Sequence, residues 1–110
     1  MKPAAAAVVS LFLSGLVPAG IGAQSAAAAT HTITIEAMAY SPATLKVKRG
    51  DTVIWVNKDP FPHTATAPDR GFDSAEIASE KRWTYVARTR GTHPYVCTLH
   101  PTMKGTLVVE

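Results

Sequence analysis

The sequence predicts an all-β protein, in which two antiparallel sheets pack as a sandwich with Greek-key connections. From Thr30 onward, short runs of β-branched and aromatic residues alternate with polar residues at a period of two. Turn residues separate these runs, and no long segment sustains a helical period. Six or seven such strands without an internal repeat are typical of a sandwich or a small barrel, and we favour the sandwich.

The first 29 residues differ from the rest of the chain and have the features of a secretory signal peptide. A positive start at Lys2 precedes an apolar run over residues 4–17, and small residues follow it. Cleavage options of the A-x-A type lie between about residues 23 and 29. Gly and Pro interrupt the apolar run, which is too short for a membrane anchor of roughly 20 residues. We therefore expect export, removal of the leader, and one soluble domain over residues 30–110.

The individual strands follow from the alternation. The run 52–57 has apolar residues on both faces, which predicts a central strand, whereas the runs before it have one apolar and one polar face. The segment 64–81 lacks a sustained period, although Asp73 followed by Glu76 resembles a helix start, so we predict a loop that can hold one short helix. The predicted strands cover residues 32–36, 44–48, 52–57, 83–87, a run that ends at 97, and 105–110.

The composition of the domain limits its chemistry. Lys2 is the only charged residue before Thr30, so the domain has ten Lys and Arg residues against eight Asp and Glu residues. No basic stripe interleaved with aromatic residues is present, and we expect no nucleic-acid partner. Cys97 is the only cysteine, which excludes an internal disulfide. An unpaired cysteine in a small exported domain calls for a role, and a bound metal would give it one.

A metal-ligating pattern lies near the end of the sequence. Cys97, His100 and Met103 fall three residues apart, so a thiolate, an imidazole and a thioether occur within seven residues. Two imidazoles and a thiolate in a trigonal plane, with a long axial thioether, form the donor set of blue-copper electron-transfer sites. His63, just past the central strand, is the best candidate for the second imidazole. Zinc is the rival ion, but a thioether is a poor ligand for it.

These residues carry a resemblance to the cupredoxins, closest to the amicyanin and plastocyanin-like group. The resemblance covers about residues 32–110, and its most specific part is the short spacing of the last three ligands. The matching motifs are Gly50-Asp51-Thr52-Val53, Trp55 and Asn57, Pro62-His63, Gly91-Thr92, Cys97-x-x-His100-x-x-Met103 and Gly105.

The resemblance implies a metal site and a function. It makes His63, Cys97 and His100 the strong ligands of one type 1 copper and Met103 the weak axial ligand. It also implies that Asn57 ties the histidine-bearing loop to the cysteine-bearing loop, in line with the orienting role of groups around metal ligands. Family proteins are Greek-key sandwiches that shuttle electrons in the periplasm or a comparable space.

The resemblance also suggests that partners dock briefly beside the edge of His100, through an apolar patch. We expect redox proteins here, a c-type cytochrome or a dehydrogenase, and a monomeric carrier without a membrane anchor. The residues that could form the patch are Met38, Phe61, Pro62, Leu99 and Pro101.

The first interpretation is therefore a periplasmic electron carrier, which is not an enzyme. Two other functions remain as alternatives. A copper-handling module for delivery or storage is one, although such proteins favour Met-rich or His-rich sites, and only Met38 and Met103 follow the leader. A binding module with a structural ion is another, and it would unfold without its metal.

The remaining polar residues give no sign of a second site. His93 is too far along its strand from Cys97 to share a metal, so we expect it at the surface or the core edge. His31 is expected in a mobile end. Asp69, Asp73, Glu76 and Glu80 are interpreted as a solvated acidic run without a His or Ser partner, so no hydrolytic site is indicated.

Overall fold

A computed structural model describes residues 27–69 and 71–110 of the chain. This part contains seven strands and no helix, and so no helix long and apolar enough to cross a membrane. Most of the predicted signal peptide lies outside the described residues, so its removal stays a prediction. The strands are β1 (Thr30–Glu36), β2 (Ala39–Ser41), β3 (Thr44–Val47), β4 (Thr52–Asn57), β5 (Arg82–Val86), β6 (Gly91–Cys97) and β7 (His100–Val109).

The strands form two sheets, which confirms the predicted sandwich. One sheet has the order β2-β1-β4-β5 and the other β3-β7-β6. The expectation of purely antiparallel sheets is wrong for two pairs, because β1 runs parallel to β4 and β3 runs parallel to β7. Alternation reports which face of a strand is buried but carries no information about the direction of its neighbour.

The central strand β4 organises the core. Its residues Val53, Trp55 and Asn57 are buried, whereas the intervening residues are half-buried, as the alternation predicted. The Trp55 ring packs against the rings of Phe72 at 5.4 Å and Tyr95 at 5.6 Å between centroids. Such aromatic contacts add to the stabilisation from apolar burial. The core therefore joins both sheets and the segment between β4 and β5.

The segment between β4 and β5 has no helix in its described residues. The Asp73 carboxylate accepts a hydrogen bond from the backbone N–H of Ala75, but Ala75 has a φ of 53° rather than a helical value. Glu80 also has a positive φ, of 64°. The segment instead makes isolated bridges, in which His63 pairs with Ile77 and Thr66 pairs with both Asp73 and Val96.

The four edge strands are short or obstructed. β2 has three residues and β3 has four. β5 follows Lys81 and begins with Arg82, and both side chains are exposed. β6 contains Pro94, which has no N–H, and the backbone of Thr66 covers part of its edge by exchanging two hydrogen bonds with Val96.

Candidate metal centre

The predicted ligands come together on two chain segments at one end of the sandwich. His63 lies six residues past the end of β4, and its backbone pairs with that of Ile77. Cys97 is the last residue of β6 and His100 is the first residue of β7, so a tight turn separates them. The backbones of Cys97 and His100 face each other in the β6–β7 pairing. The hairpin therefore fixes both side chains near the His63 segment.

The distances between donor atoms match a metal placed among them. Nδ1 of His63 and Nδ1 of His100 each lie 3.7 Å from Sγ of Cys97, and one potential ligand atom from each of the three residues lies within 4.8 Å of the other two. A metal about 2.0 Å from nitrogen and about 2.3 Å from sulfur, with an angle of about 120°, would separate the two atoms by about 3.7 Å. The donor set and its spacing therefore fit a trigonal site.

Met103 completes the predicted set. It lies on β7 and is buried. His63, Cys97, His100 and Met103 lie close together as a possible copper site. A thioether beside two imidazoles and a thiolate is a soft donor set, which suits copper better than zinc.

Burial differs sharply between the two imidazoles. His63 and Cys97 are completely buried, whereas His100 is half-buried. Large apolar side chains near the histidine segments are exposed, with Phe61 at 55% and Leu99 at 44% of their possible surface. The half-buried His100 is thus the ligand in this set that has access to solvent.

Thr64 connects the two ligand-bearing segments. Its backbone N–H donates to Sγ of Cys97 at 3.3 Å, and its Oγ1 accepts the backbone N–H of Thr98 at 2.9 Å. Its carbonyl oxygen accepts the hydroxyl hydrogen of Tyr40. Thr64 was not among the residues predicted from the sequence, although its position directly after His63 was a signal for it.

Asn57 has a different role from the one that the resemblance implied. Its side-chain NH₂ group donates to the carbonyl oxygens of Phe61 at 2.7 Å and Ile77 at 2.9 Å, and its Oδ1 accepts a hydrogen bond from the backbone N–H of Asp59 at 2.9 Å. These bonds shape the segment that leads to His63. Within the described residues it is Thr64, and not Asn57, that bonds to the cysteine-bearing hairpin.

Asp59 is a second residue near the site that was not predicted from the sequence. Its Oδ2 lies 2.8 Å from Nε2 of His63. Burial raises the pKa of Asp59, but hydrogen bonds from the backbone of Met38, the His63 ring and the backbone of Ala37 outweigh burial, and the net shift is downward. The carboxylate four residues before the histidine was the available signal.

The structure corrects two expectations about residues outside the site, those for His31 and Asp69, and places His93 at the edge of the core. His31 lies in β1 rather than in a mobile end, and its Nε2 is 2.9 Å from Oδ2 of Asp51. His93 is buried, and its Nδ1 is 2.9 Å from Oδ2 of Asp69. Asp69 therefore has a histidine partner and is not part of a merely solvated acidic run.

Comparisons with known proteins agree with this geometry. Residues 4–109 match the family model of the cupredoxin-like domain. The chain is 27% identical to amicyanin-alpha of Methylorubrum extorquens, over 96% of this chain and 95% of that protein. It is 32% identical to the amicyanin of Paracoccus denitrificans, over 71% of this chain and 63% of that protein. The solved structure of an oxidized mutant of amicyanin has a TM-score of 0.69 and 31% identity, over 74% of this chain and 82% of that one.

Proposed function

Because the chain belongs to the cupredoxin-like family, we propose that it carries single electrons between redox proteins in the periplasm, with one type 1 copper. The copper would be held by His63, Cys97, His100 and Met103. The observation that supports this most directly is the convergence of two Nδ1 atoms on one Sγ atom, each at a distance of 3.7 Å. Copper, when bound, supplies the one-electron chemistry between Cu(II) and Cu(I).

The protein contributes a donor set that need not move when an electron arrives. Cys97 is fixed by the Thr64 N–H, and His63 is fixed by Asp59. Both side chains are fully buried and packed, so neither can adopt a new rotamer without disturbing the core. We propose that this rigidity keeps the ligand positions similar in both oxidation states, which suits a carrier rather than an enzyme.

Electrons would enter and leave through His100. This half-buried imidazole adjoins exposed Leu99 and Pro101 in the sequence, and Phe61 and Met38 are exposed as well. An apolar surface of this kind excludes water at the point of transfer and favours brief encounters over stable complexes. We propose a c-type cytochrome or a dehydrogenase as the partner and a monomer as the carrier.

The first test is the visible absorption spectrum of the mature protein after the addition of Cu(II). A short copper–thiolate bond gives an intense charge-transfer band, so we expect a strong blue or green colour in the wild type. Cys97→Ser should abolish the band, because it removes the thiolate. His31→Gln is the matched control, since it removes an imidazole outside the predicted ligand set, and the band should persist.

Two results would contradict the proposal. A wild-type protein with only the faint colour of copper–imidazole binding would mean that Cys97 is not a ligand, and a structural ion or a copper-handling role would then be favoured. A coloured protein that loses its copper on each cycle of voltammetry would favour a role in copper delivery over a role in electron transfer. Reversible voltammetry with constant copper content would support the electron carrier.

A further inference from the structure

The turn between β1 and β2 has an unusual backbone. Its two central residues, Ala37 and Met38, have φ values of 52° and 60°, and Glu36 pairs with Ala39 across the turn. This is the conformation of a type I′ hairpin turn, which Gly, Asn and Asp adopt most readily. Ala and Met are disfavoured in it, so a compensating interaction is expected nearby.

The compensating interaction is the Asp59 carboxylate. The backbone N–H of Ala37 donates to Oδ1 at 2.8 Å, and that of Met38 donates to Oδ2 at 3.0 Å. Two successive N–H groups that converge in this way form a site for an anion. Asp59 is only 6% exposed, and its own N–H is bonded to Asn57. The carboxylate is therefore fixed by both its backbone and its oxygen atoms.

The same carboxylate determines which nitrogen of His63 faces the metal site. An ionised carboxylate only accepts hydrogen bonds, so Nε2 of His63 carries the hydrogen that Oδ2 accepts at 2.8 Å. Nδ1 then keeps its lone pair, and it is this atom that lies 3.7 Å from Sγ of Cys97. A carboxylate on the far side of a ligating imidazole also makes it a stronger donor.

We infer that Asp59, held by the β1–β2 turn, is a positioning residue that orients His63 and strengthens it as a ligand of Cu(II) relative to Cu(I). The inference rests on the proposed copper function. A negative charge beside the ligand favours the metal ion of higher charge, so the Asp59 carboxylate should lower the reduction potential.

The first test compares reduction potentials, measured by voltammetry on the copper-loaded protein. Asp59→Asn removes the negative charge. The new NH₂ group is itself a donor and must face at least one of the three donors that now bond to the carboxylate, so at least one of these hydrogen bonds is lost. If the variant loses about tenfold more affinity for Cu(II) than for Cu(I), the potential rises by about 59 mV. Asp59→Glu should restore part of the difference, because it restores the charge.

Asp51→Asn is the matched control, because it neutralises a carboxylate that bonds to His31 rather than to a predicted ligand. Its potential should equal that of the wild type. The inference would be overturned if Asp59→Asn changed the reduction potential from the wild-type value by no more than Asp51→Asn does.

A second test uses the metal-free protein and does not depend on copper binding. Nitrogen-15 NMR of the imidazoles should show His63 with its hydrogen on Nε2. A hydrogen on Nδ1 would overturn the inference. If the wild type forms no copper–thiolate band and His63 still has its hydrogen on Nε2, the copper proposal fails while the positioning of His63 by Asp59 stands.

Discussion

At the scale of single residues, two neighbouring tyrosines in the core use their hydroxyl groups differently. The rings of Tyr40 and Tyr95 pack edge to face with centroids 4.6 Å apart. The Tyr40 hydroxyl donates to the carbonyl oxygen of Thr64. Among the described residues, neither the buried Tyr95 hydroxyl nor the Trp55 indole N–H makes a hydrogen bond of good geometry.

This difference gives a matched pair of substitutions. Tyr40→Phe should lower the free energy of unfolding by about 1 kcal/mol, because it removes a hydrogen bond and leaves a buried carbonyl oxygen short of a donor. Tyr95→Phe should be neutral or slightly stabilising, because its buried hydroxyl is desolvated without compensation. Urea unfolding of the metal-free variants measures both. Equal losses of unfolding free energy at the two positions would contradict the different roles of the two hydroxyl groups.

At the scale of elements, His93 joins β6 to the segment between β4 and β5. Its Nδ1 lies 2.9 Å from the Asp69 carboxylate, and its Nε2 lies 2.9 Å from the carbonyl oxygen of Thr89. Both neighbours are acceptors, so the protonated ring satisfies both. Burial lowers the pKa of His93, but the hydrogen bonds to Thr89 and Asp69 raise it by more than burial lowers it, so the net shift is upward. The bond to His93 in turn lowers the pKa of Asp69.

The direction of these shifts fixes the pH dependence of stability. A raised His93 pKa means that its contribution is complete below about pH 6.5 and is lost as the pH rises through the folded-state pKa. A lowered Asp69 pKa means that its contribution is present above about pH 4 and is lost as the pH falls through the folded-state pKa. The link between β6 and the preceding segment should therefore be strongest between about pH 4 and pH 6.5.

His93→Gln tests this expectation. The difference in Tm between the metal-free wild type and the variant should be larger at pH 5 than at pH 9. Only the wild type has the His93 ring, which loses its proton and its stabilising contribution as the pH rises. Other groups titrate in this interval, but they are common to both proteins and cancel in the difference. A difference in Tm that is constant across the interval would show that His93 does not titrate in a way that affects folding.

At the scale of the whole molecule, the core should hold the fold without the metal. The aromatic cluster around Trp55 joins both sheets, and the two fully buried predicted ligands, Cys97 and His63, are held by Thr64 and Asp59. We therefore expect the metal-free protein to retain its near-ultraviolet circular dichroism, and copper to raise Tm further, because it binds the folded state preferentially. Loss of that signal on chelation would favour a structural ion instead.

Sequence alone was sufficient for features that depend on local patterns. The alternation placed the β4 strand and its buried face, and the spacing of Cys97, His100 and Met103 predicted three members of the candidate site, of which Cys97 and His100 lie together with His63. The parallel direction of β1 and β3 was not predictable in this way, because pairing joins strands that are distant along the chain. Asp59 was missed for a similar reason, since its hydrogen donors in the turn lie 21 and 22 residues away.

The edges of the two sheets have a consequence for the behaviour of the protein in concentrated solution. A long, flat edge offers consecutive unpaired N–H and C=O groups to another chain, and this is how sheets add strands and aggregate. Here β2 and β3 are too short for extended pairing, Pro94 and Thr66 obstruct β6, and exposed Arg82 places a charge at the start of β5. The protein can thus reach a high concentration without its sheets joining those of other copies.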